Sequence, residues 1–222
     1  MLYFAIIGDF ISSKRLENRN DAQKKLKTCL DSVNQNYKEL LASQFSITLG
    51  DEFQGLLLPE APIFQLIDDI NQSLVDYKIR FGIGLGEIVT DINPEQSIGA
   101  DGPAYWYARE AITYIHQKND YGNTQVAIRL ADKEKAQILN TLLAAGEAIK
   151  SNWRSSQLSL LSGLLSMGIY DENFEKGQLA ELLQLNSSAL SKRLKSSNLK
   201  VYLRSRKTAL EILREIKEEE DK

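Results

Sequence analysis

Cysteine and histidine are almost missing from this 222-residue chain, which carries one of each. Cys29 by itself excludes an internal disulfide framework, and its place in a periodic apolar stretch marks it as a small buried hydrophobe. His116 by itself excludes polyhistidine metal sites and leaves few routes to a Ser-His-Asp triad, so any chemistry falls to carboxylates. No apolar run reaches the roughly 18 residues that a membrane-spanning helix needs, and no membrane partner is expected. The four prolines all lie within the first 103 residues, between periodic stretches where turns belong. The amino terminus, MLYFAIIGDFISSK, is too short for a signal peptide and has no basic stretch ahead of its apolar residues; it reads as the first strand of a cytoplasmic protein.

Charge is unevenly spread. The formal net charge is −3, divided as −5 over residues 1–150 and +2 over residues 151–222. Between Lys176 and Lys207 stand eight basic residues and one acid, Glu181. A local excess of seven positive charges suggests a polyanionic partner, against the plainer reading of a solvated helical face.

Hydrophobic periodicity divides the chain in two. Met1 to Phe10 reads as a buried strand, and Asn20 to Leu41 as a helix with Leu26, Leu30, Val33, Tyr37 and Leu40 on one face. Two short strands around Gly50-Asp51-Glu52 suggest a hairpin, and residues 61–76 a helix. Residues 79–89 alternate Ile79, Phe81, Ile83 and Leu85 with small residues, so one face packs while Gly82, Gly84 and Gly86 admit close backbone approach on the other. A helix over 101–117, a strand over 124–130 and a helix over 131–150 follow. The order βαββαβ predicts an α+β, ferredoxin-like sheet with helices packed on one face. Beyond residue 150 the pattern is all-helical, which predicts a domain of residues 1–150 and an all-helical domain of residues 151–222.

Two acids follow apolar strands: Asp9 in IIGDFISSKR and Asp51 in ITLGDEFQGL. The topology lays the first strand beside the hairpin, so the two carboxylates are expected to converge at one sheet edge. Such a pair suits Mg²⁺, with Mn²⁺ as the alternative, completed by the Phe10 carbonyl and substrate phosphates. Ser12, Ser13, Lys14 and Arg15 offer hydroxyls, amides and cations where a polyphosphate would extend. The plainer reading is turn chemistry. Glu52 is ranked below Asp51 as a ligand by pleat alternation. Asp101, before Gly102-Pro103, is expected to cap the helix that follows.

The first half resembles the catalytic domain of class III nucleotidyl cyclases and, more distantly, the GGDEF diguanylate cyclases, which share a palm-like core. IIGDFISS and ITLGDEFQGLL resemble the segments bearing the two metal-binding aspartates, FGIGLGEIVT a glycine-bearing strand, and GPAYWYAREAI a helix carrying a phosphate-stabilising arginine. The resemblance implies catalytic roles for Asp9, Asp51 and Arg109, metal binding by Asp9, Phe10 and Asp51, and a nucleoside triphosphate or related nucleotide as partner. It departs where a cyclase selects its purine: Ile47 and Ile98 stand at those positions, and Tyr105 replaces an asparagine. A base is expected to stack on Tyr105 or a neighbouring aromatic, while at least one of Tyr105, Trp106 and Tyr107 packs in the core. Over its whole length the chain resembles the SatD family of bacterial proteins through IGDFISSK, TLGDEFQGLL, FGIGLGEI and IGADGPAYWYAREAI. That resemblance implies a bacterial cytoplasmic setting and assigns no activity.

In the second half, KGQLAELLQLNSSALSKRLKSSNLKVYL reads as helix, short turn and helix, with Leu179, Ala180 and Leu183 apolar on the first and Leu190 and Leu194 on the second. It resembles the helix-turn-helix of bacterial transcription regulators. Ser188, Ser191, Lys192, Arg193, Lys195 and Lys200 are the candidate DNA contacts. The alternative is a helical bundle that packs on the first half. The stripe Leu210, Leu213 and Ile216 faces either a partner, as the seam of a homodimer, or the chain's own core. The combined expectation is a nucleotide-responsive DNA-binding regulator. Its alternative is a catalytically inactive cyclase-like scaffold acting as a DNA-binding or protein-binding adaptor.

Overall fold

The computed structural model describes residues 1–11, 18–117 and 122–220. The strands are β1 (Tyr3–Phe10), β2 (Leu41–Leu49), β3 (Glu52–Leu57), β4 (Ile79–Gly86) and β5 (Val126–Arg129). The helices are α1 (Arg19–Asn36), α2 (Ile63–Ser73), α3 (Pro103–His116), α4 (Lys133–Lys150), α5 (Ser155–Ser166), α6 (Lys176–Leu182), α7 (Ser187–Ser197) and α8 (Leu199–Glu220). The chain is α+β, with one mixed sheet in the order β2-β3-β1-β4-β5. Only the β4–β5 pair is parallel among the described ladders. β1 is central, and every residue from Phe4 to Ile7 is buried, as a strand covered on both faces requires.

That double cover corrects the expectation of helices on one face. Phe4, Ile6 and Phe10 of β1, Phe53 and Leu57 of β3, and Phe81, Ile83 and Leu85 of β4 join α1, α2 and α4 in one core. On the other face Ala5, Ile7 and Leu56 pack against Ala104, Tyr105, Ala108 and Ile112 of α3. The reason is the parallel β4–α3–β5 crossover, whose helix must cross the sheet between two parallel neighbours. The alternating glycines of β4 make this crossing close. A Cβ added at Gly84 would lie 2.0 Å from the Ala104 carbonyl oxygen, and one at Gly82 2.3 Å from that of Ala108. Because the obstacle is helix backbone, Gly84→Ala is expected to cost about 3 kcal/mol, the upper part of the range for overpacking. Urea denaturation checks this, and a loss under about 1 kcal/mol would show that α3 shifts away freely.

Sheet edges are also managed. The side chain of Asn140 on α4 accepts from the Ile128 N–H and donates to the Ile128 carbonyl, both at 2.9 Å. It thereby serves as a one-residue neighbour strand for β5. At the other end α1 stops at Asn36, earlier than the apolar spacing predicts, and β2 begins at Leu41. Asn34 fixes this change of direction by bonding both backbone groups of Phe45. Cys29 is buried, and burial raises its thiol to about 11.

The last helices build a second core from Trp153, Leu160, Leu161, Leu164, Leu165, Leu179, Leu190, Leu199, Tyr202 and Leu203. α8 then runs back onto the first half: Ala209, Leu213 and Ile216 are buried in the core of the sheet's α1–α2 face. The apolar stripe of the final helix therefore meets its own chain. The junction holds buried charge. Asp68 of α2 accepts from Lys150 Nζ (2.5 Å), Tyr170 Oη (2.6 Å) and Tyr202 Oη (2.7 Å). Beside it the buried Arg206 pairs with Glu147 of α4, its guanidinium over the rings of Phe64 and Tyr202.

Candidate functional site

Antiparallel register decides which side chains meet on the α3 face. Asp9 stands opposite Glu52 on one side and Arg80 on the other, so Glu52, Asp9 and Arg80 form a row across β3, β1 and β4. Above this row α3 presents Arg109 and His116, seven positions apart and so on one helix face. The Arg80 fork closes on Asp9, Nε to Oδ1 at 2.9 Å and Nη2 to Oδ2 at 2.8 Å. The His116 Nε2 lies 3.1 Å from the same Oδ2. Its Nδ1 lies 2.7 Å from Arg80 Nη1. Arg109 makes a two-pronged pair with Glu52 at 2.5 and 2.8 Å.

These contacts set the protonation of the row. Burial at the sheet raises the Asp9 carboxyl above its usual range, against the downward pull of Arg80 and His116, and the charge of Asp51 adds to the rise. The hydrogen bonds from Arg109 hold Glu52 below its usual range. The same pairing raises Arg109.

Asp51 sits in the turn between β2 and β3, after Gly50 with φ of 65°, while Glu52 opens β3 and takes the place beside Asp9. Asp9 and Asp51 are close enough to interact electrostatically, yet both Asp9 oxygens are taken by Arg80. Among the described residues no three His, Cys, Asp or Glu side chains are arranged to hold a metal ion. Arg80 therefore occupies the Asp9 carboxylate where the sequence leads one to expect a Mg²⁺ or Mn²⁺ ion shared with Asp51 and the Phe10 carbonyl. Phe10 stacks on Tyr77 at 5.0 Å on the opposite face of the sheet. Ser12, Ser13, Lys14 and Arg15 lie outside the described residues.

Beside the row is a cavity of about 430 Å³ lined by Ile7, Gln54, Ala100, Tyr105, Trp106 and Arg109. The three consecutive aromatics separate as a helix dictates: Tyr105 is 7% exposed, Trp106 57%, and Tyr107 is half-buried on a different side. The buried Tyr105 hydroxyl faces Ser97, whose Oγ already bonds the carbonyls of Gln44 and Gln54, and among the described residues it has no hydrogen-bond partner of good geometry. Burial raises its pKa above the usual tyrosine value. Asp101 does not cap α3; it accepts from its neighbour Gly102 N–H and from the Trp106 indole at 2.7 Å. Gly102, at φ of 151° and pressed against the Glu87 carbonyl, is the N-cap residue instead.

The sequence reading missed Arg80, His116 and the rank of Glu52. The signal was available for one of them, since Arg80 shares the strand face of Gly82 and Gly84, the face turned to α3.

In the second half, α6 and α7 are joined by residues 183–186, with Gln184 in the left-handed region at φ of 52° and Asn186 capping α7 through the Ala189 N–H. Leu179 and Leu190 face inward, whereas Ser188, Ser191, Lys192 and Lys195 are exposed and Arg193 is half-buried. Three of the eight cations counted in the sequence are already matched. Arg204 pairs with Glu172, Lys207 with Asp171 and Arg206 with Glu147. Lys200 lies over the Phe174 ring at 5.4 Å. Lys176, Lys192, Arg193, Lys195 and Lys200 make no ion pair among the described residues.

The fold and these contacts define an α+β protein whose five-stranded sheet carries a charge-matched row under one helix and whose final helices lock back onto the sheet layer. The SatD family model matches residues 3–213, and the chain belongs to the SatD family. A search of curated proteins finds no match. Among the described residues no helix is long and apolar enough to cross a membrane.

Proposed function

We propose that this chain is a DNA-binding regulator in which a ferredoxin-like, palm-type half senses a nucleotide and a helix-turn-helix contacts the duplex. The observation that carries the reading is the outer face of α7, where Ser188, Ser191, Lys192 and Lys195 stand exposed while Leu190 anchors the helix from behind. Short polar groups suit base edges and unpaired lysines suit phosphates, and the capped, left-handed turn before α7 sets the second helix off from α6. The strand order β2-β3-β1-β4 supports the ferredoxin-like core.

In the sensing half the cavity beside Arg109 offers a cation, a buried phenol and the apolar wall of Ile7 and Ala100. The ion pair of Asp9 with Arg80 favours binding without turnover, so no catalytic step is assigned. Two measurements test the two halves separately. Saturable, salt-dependent binding to a short mixed-sequence duplex is expected, and its absence at low salt would remove the regulatory reading. Calorimetry with ATP and GTP in metal-free buffer is expected to show binding that weakens about tenfold or more, some 1.4 kcal/mol, in Arg109→Gln. Failure of both nucleotides to bind would remove the sensing role and leave DNA binding standing.

A further inference from the structure

A second cavity, about 500 Å³, lies apart from the charged row and from the cavity beside Arg109. It opens at the edge strand β5, between α3 on one face of the sheet and α4 on the other, and is lined by Tyr107, Glu110 and Tyr114 of α3, by Arg129 and by Lys133 and Gln137 of α4. Its volume lies within the range of roughly 300–1,000 Å³ usual for small-molecule sites.

The chemistry of the lining is specific. The Arg129 guanidinium lies over the Tyr114 ring at 4.4 Å. Its Nε bonds Glu110 at 3.2 Å and its Nη1 bonds the Ile128 carbonyl at 3.1 Å. Stacking and two in-plane bonds hold the fork in one orientation, and no bond from Nη2 is present among the described residues. A fork held in advance loses little freedom on gripping a carboxylate or phosphate. Lys133, exposed at the start of α4, adds a second cation, while Glu110 is the one carboxylate among the described lining residues. Glu110 is itself 63% exposed, and a surface pair of that kind is weak enough for an incoming anion to displace. Tyr107 and Tyr114, two helical turns apart, together with Leu130, Ala131 and Ala136, give apolar walls for a ring. Asn140 closes the floor with its amide already spent on Ile128 and Ala136.

We infer that this cavity is a binding site for a small aromatic anion, a planar ring carrying one carboxylate or phosphate group, gripped by Arg129 and Lys133 with the ring against Tyr107 and Tyr114. The occupant seats on α4, whose far end carries the Glu147 and Lys150 that hold Arg206 and Asp68 at the junction of the two halves.

The test is calorimetric titration of the full chain with 4-hydroxybenzoate, phenyl phosphate and inorganic phosphate. Binding of at least one ring-bearing probe with Kd below about 1 mM is expected, and the better probe tells carboxylate from phosphate as the source of the charge. Inorganic phosphate is expected to bind at least tenfold more weakly. Both Arg129→Gln and Lys133→Gln are expected to weaken the ring-bearing probe, by tenfold or more for Arg129→Gln. Lys133 is exposed, so its variant keeps the test valid should Arg129→Gln fail to fold. Three results would each overturn the inference: neither ring-bearing probe binds, binding is unchanged in the folded variants, or phosphate alone binds as tightly.

Discussion

Replacing Asp68 by asparagine is expected to lower the stability of the protein by about 3–5 kcal/mol, the usual cost of removing one partner from a buried ion pair. Asparagine keeps the shape, so no cavity contributes. What changes is the pattern of donors. Asp68 is 3% exposed and receives three donors, from Lys150, Tyr170 and Tyr202. The amide offers one acceptor oxygen and sets an NH₂ group against at least one of those donors, leaving the Lys150 ammonium buried without its counter-charge. For a chain of this size the loss corresponds to a drop in melting temperature of roughly 6–20 °C.

The same substitution has a pH signature. Burial alone would raise the Asp68 carboxyl, but Lys150 and Arg206 overcome it and hold the folded-state value below the ordinary carboxylate range. A depressed folded pKa contributes stability that is complete above the unfolded value near about 4 and disappears as pH falls through the folded value. The gap between wild type and Asp68→Asn is therefore expected to be widest near neutral pH and to narrow below about pH 4. Parallel stability curves across that window would show that the carboxylate is not what holds the junction. Because α8 carries Tyr202 and Arg206 at one end of its buried stripe and Ala209, Leu213 and Ile216 beyond, the loss is expected to loosen the final helices from the sheet layer first.

The second large effect concerns α7. Lys192→Glu with Lys195→Glu is expected to weaken DNA binding by about 100-fold or more, close to 2.7 kcal/mol, since two phosphate contacts become two repulsions. Both lysines are exposed and neither makes an ion pair among the described residues. The fold should consequently change by about 1 kcal/mol or less, mostly from placing an acid in the last turn of α7. A melting temperature near that of wild type, alongside lost DNA binding, separates a contact role from a structural one.

Much of this arrangement was legible in the amino-acid order, and the rest failed for identifiable reasons. Alternation in residues 79–86 marked a strand with one apolar face and one bare face, and the bare face is where the α3 backbone passes. The hairpin at Gly50-Asp51 and the apolar spacing of α2 and α4 were equally local signals. The charged row was not legible, because it depends on ladder register: a single residue decides whether Asp51 or Glu52 meets Asp9, and the ladder chose Glu52. Arg80 reaches Asp9 across 71 positions, a separation no local pattern encodes. The basic run from Lys176 to Lys207 overstated the free charge for the same reason. Arg206 finds Glu147 59 positions away, and Arg204 finds Glu172 32 positions away, so the sequence count includes cations the fold has already matched.

Among the described residues Lys176, Lys192, Arg193, Lys195 and Lys200 remain without an ion pair, and the regulatory reading rests on these side chains meeting phosphates. Fluorescence anisotropy with a labelled duplex over a series of salt concentrations measures that directly. With three to five of them engaged, the plot of log K against log salt is expected to fall with a slope of about −2.7 to −4.5, and the Lys192→Glu, Lys195→Glu chain to show a slope shallower by about 2. No measurable affinity at low salt, or a slope that the two substitutions leave untouched, would contradict DNA recognition through α7.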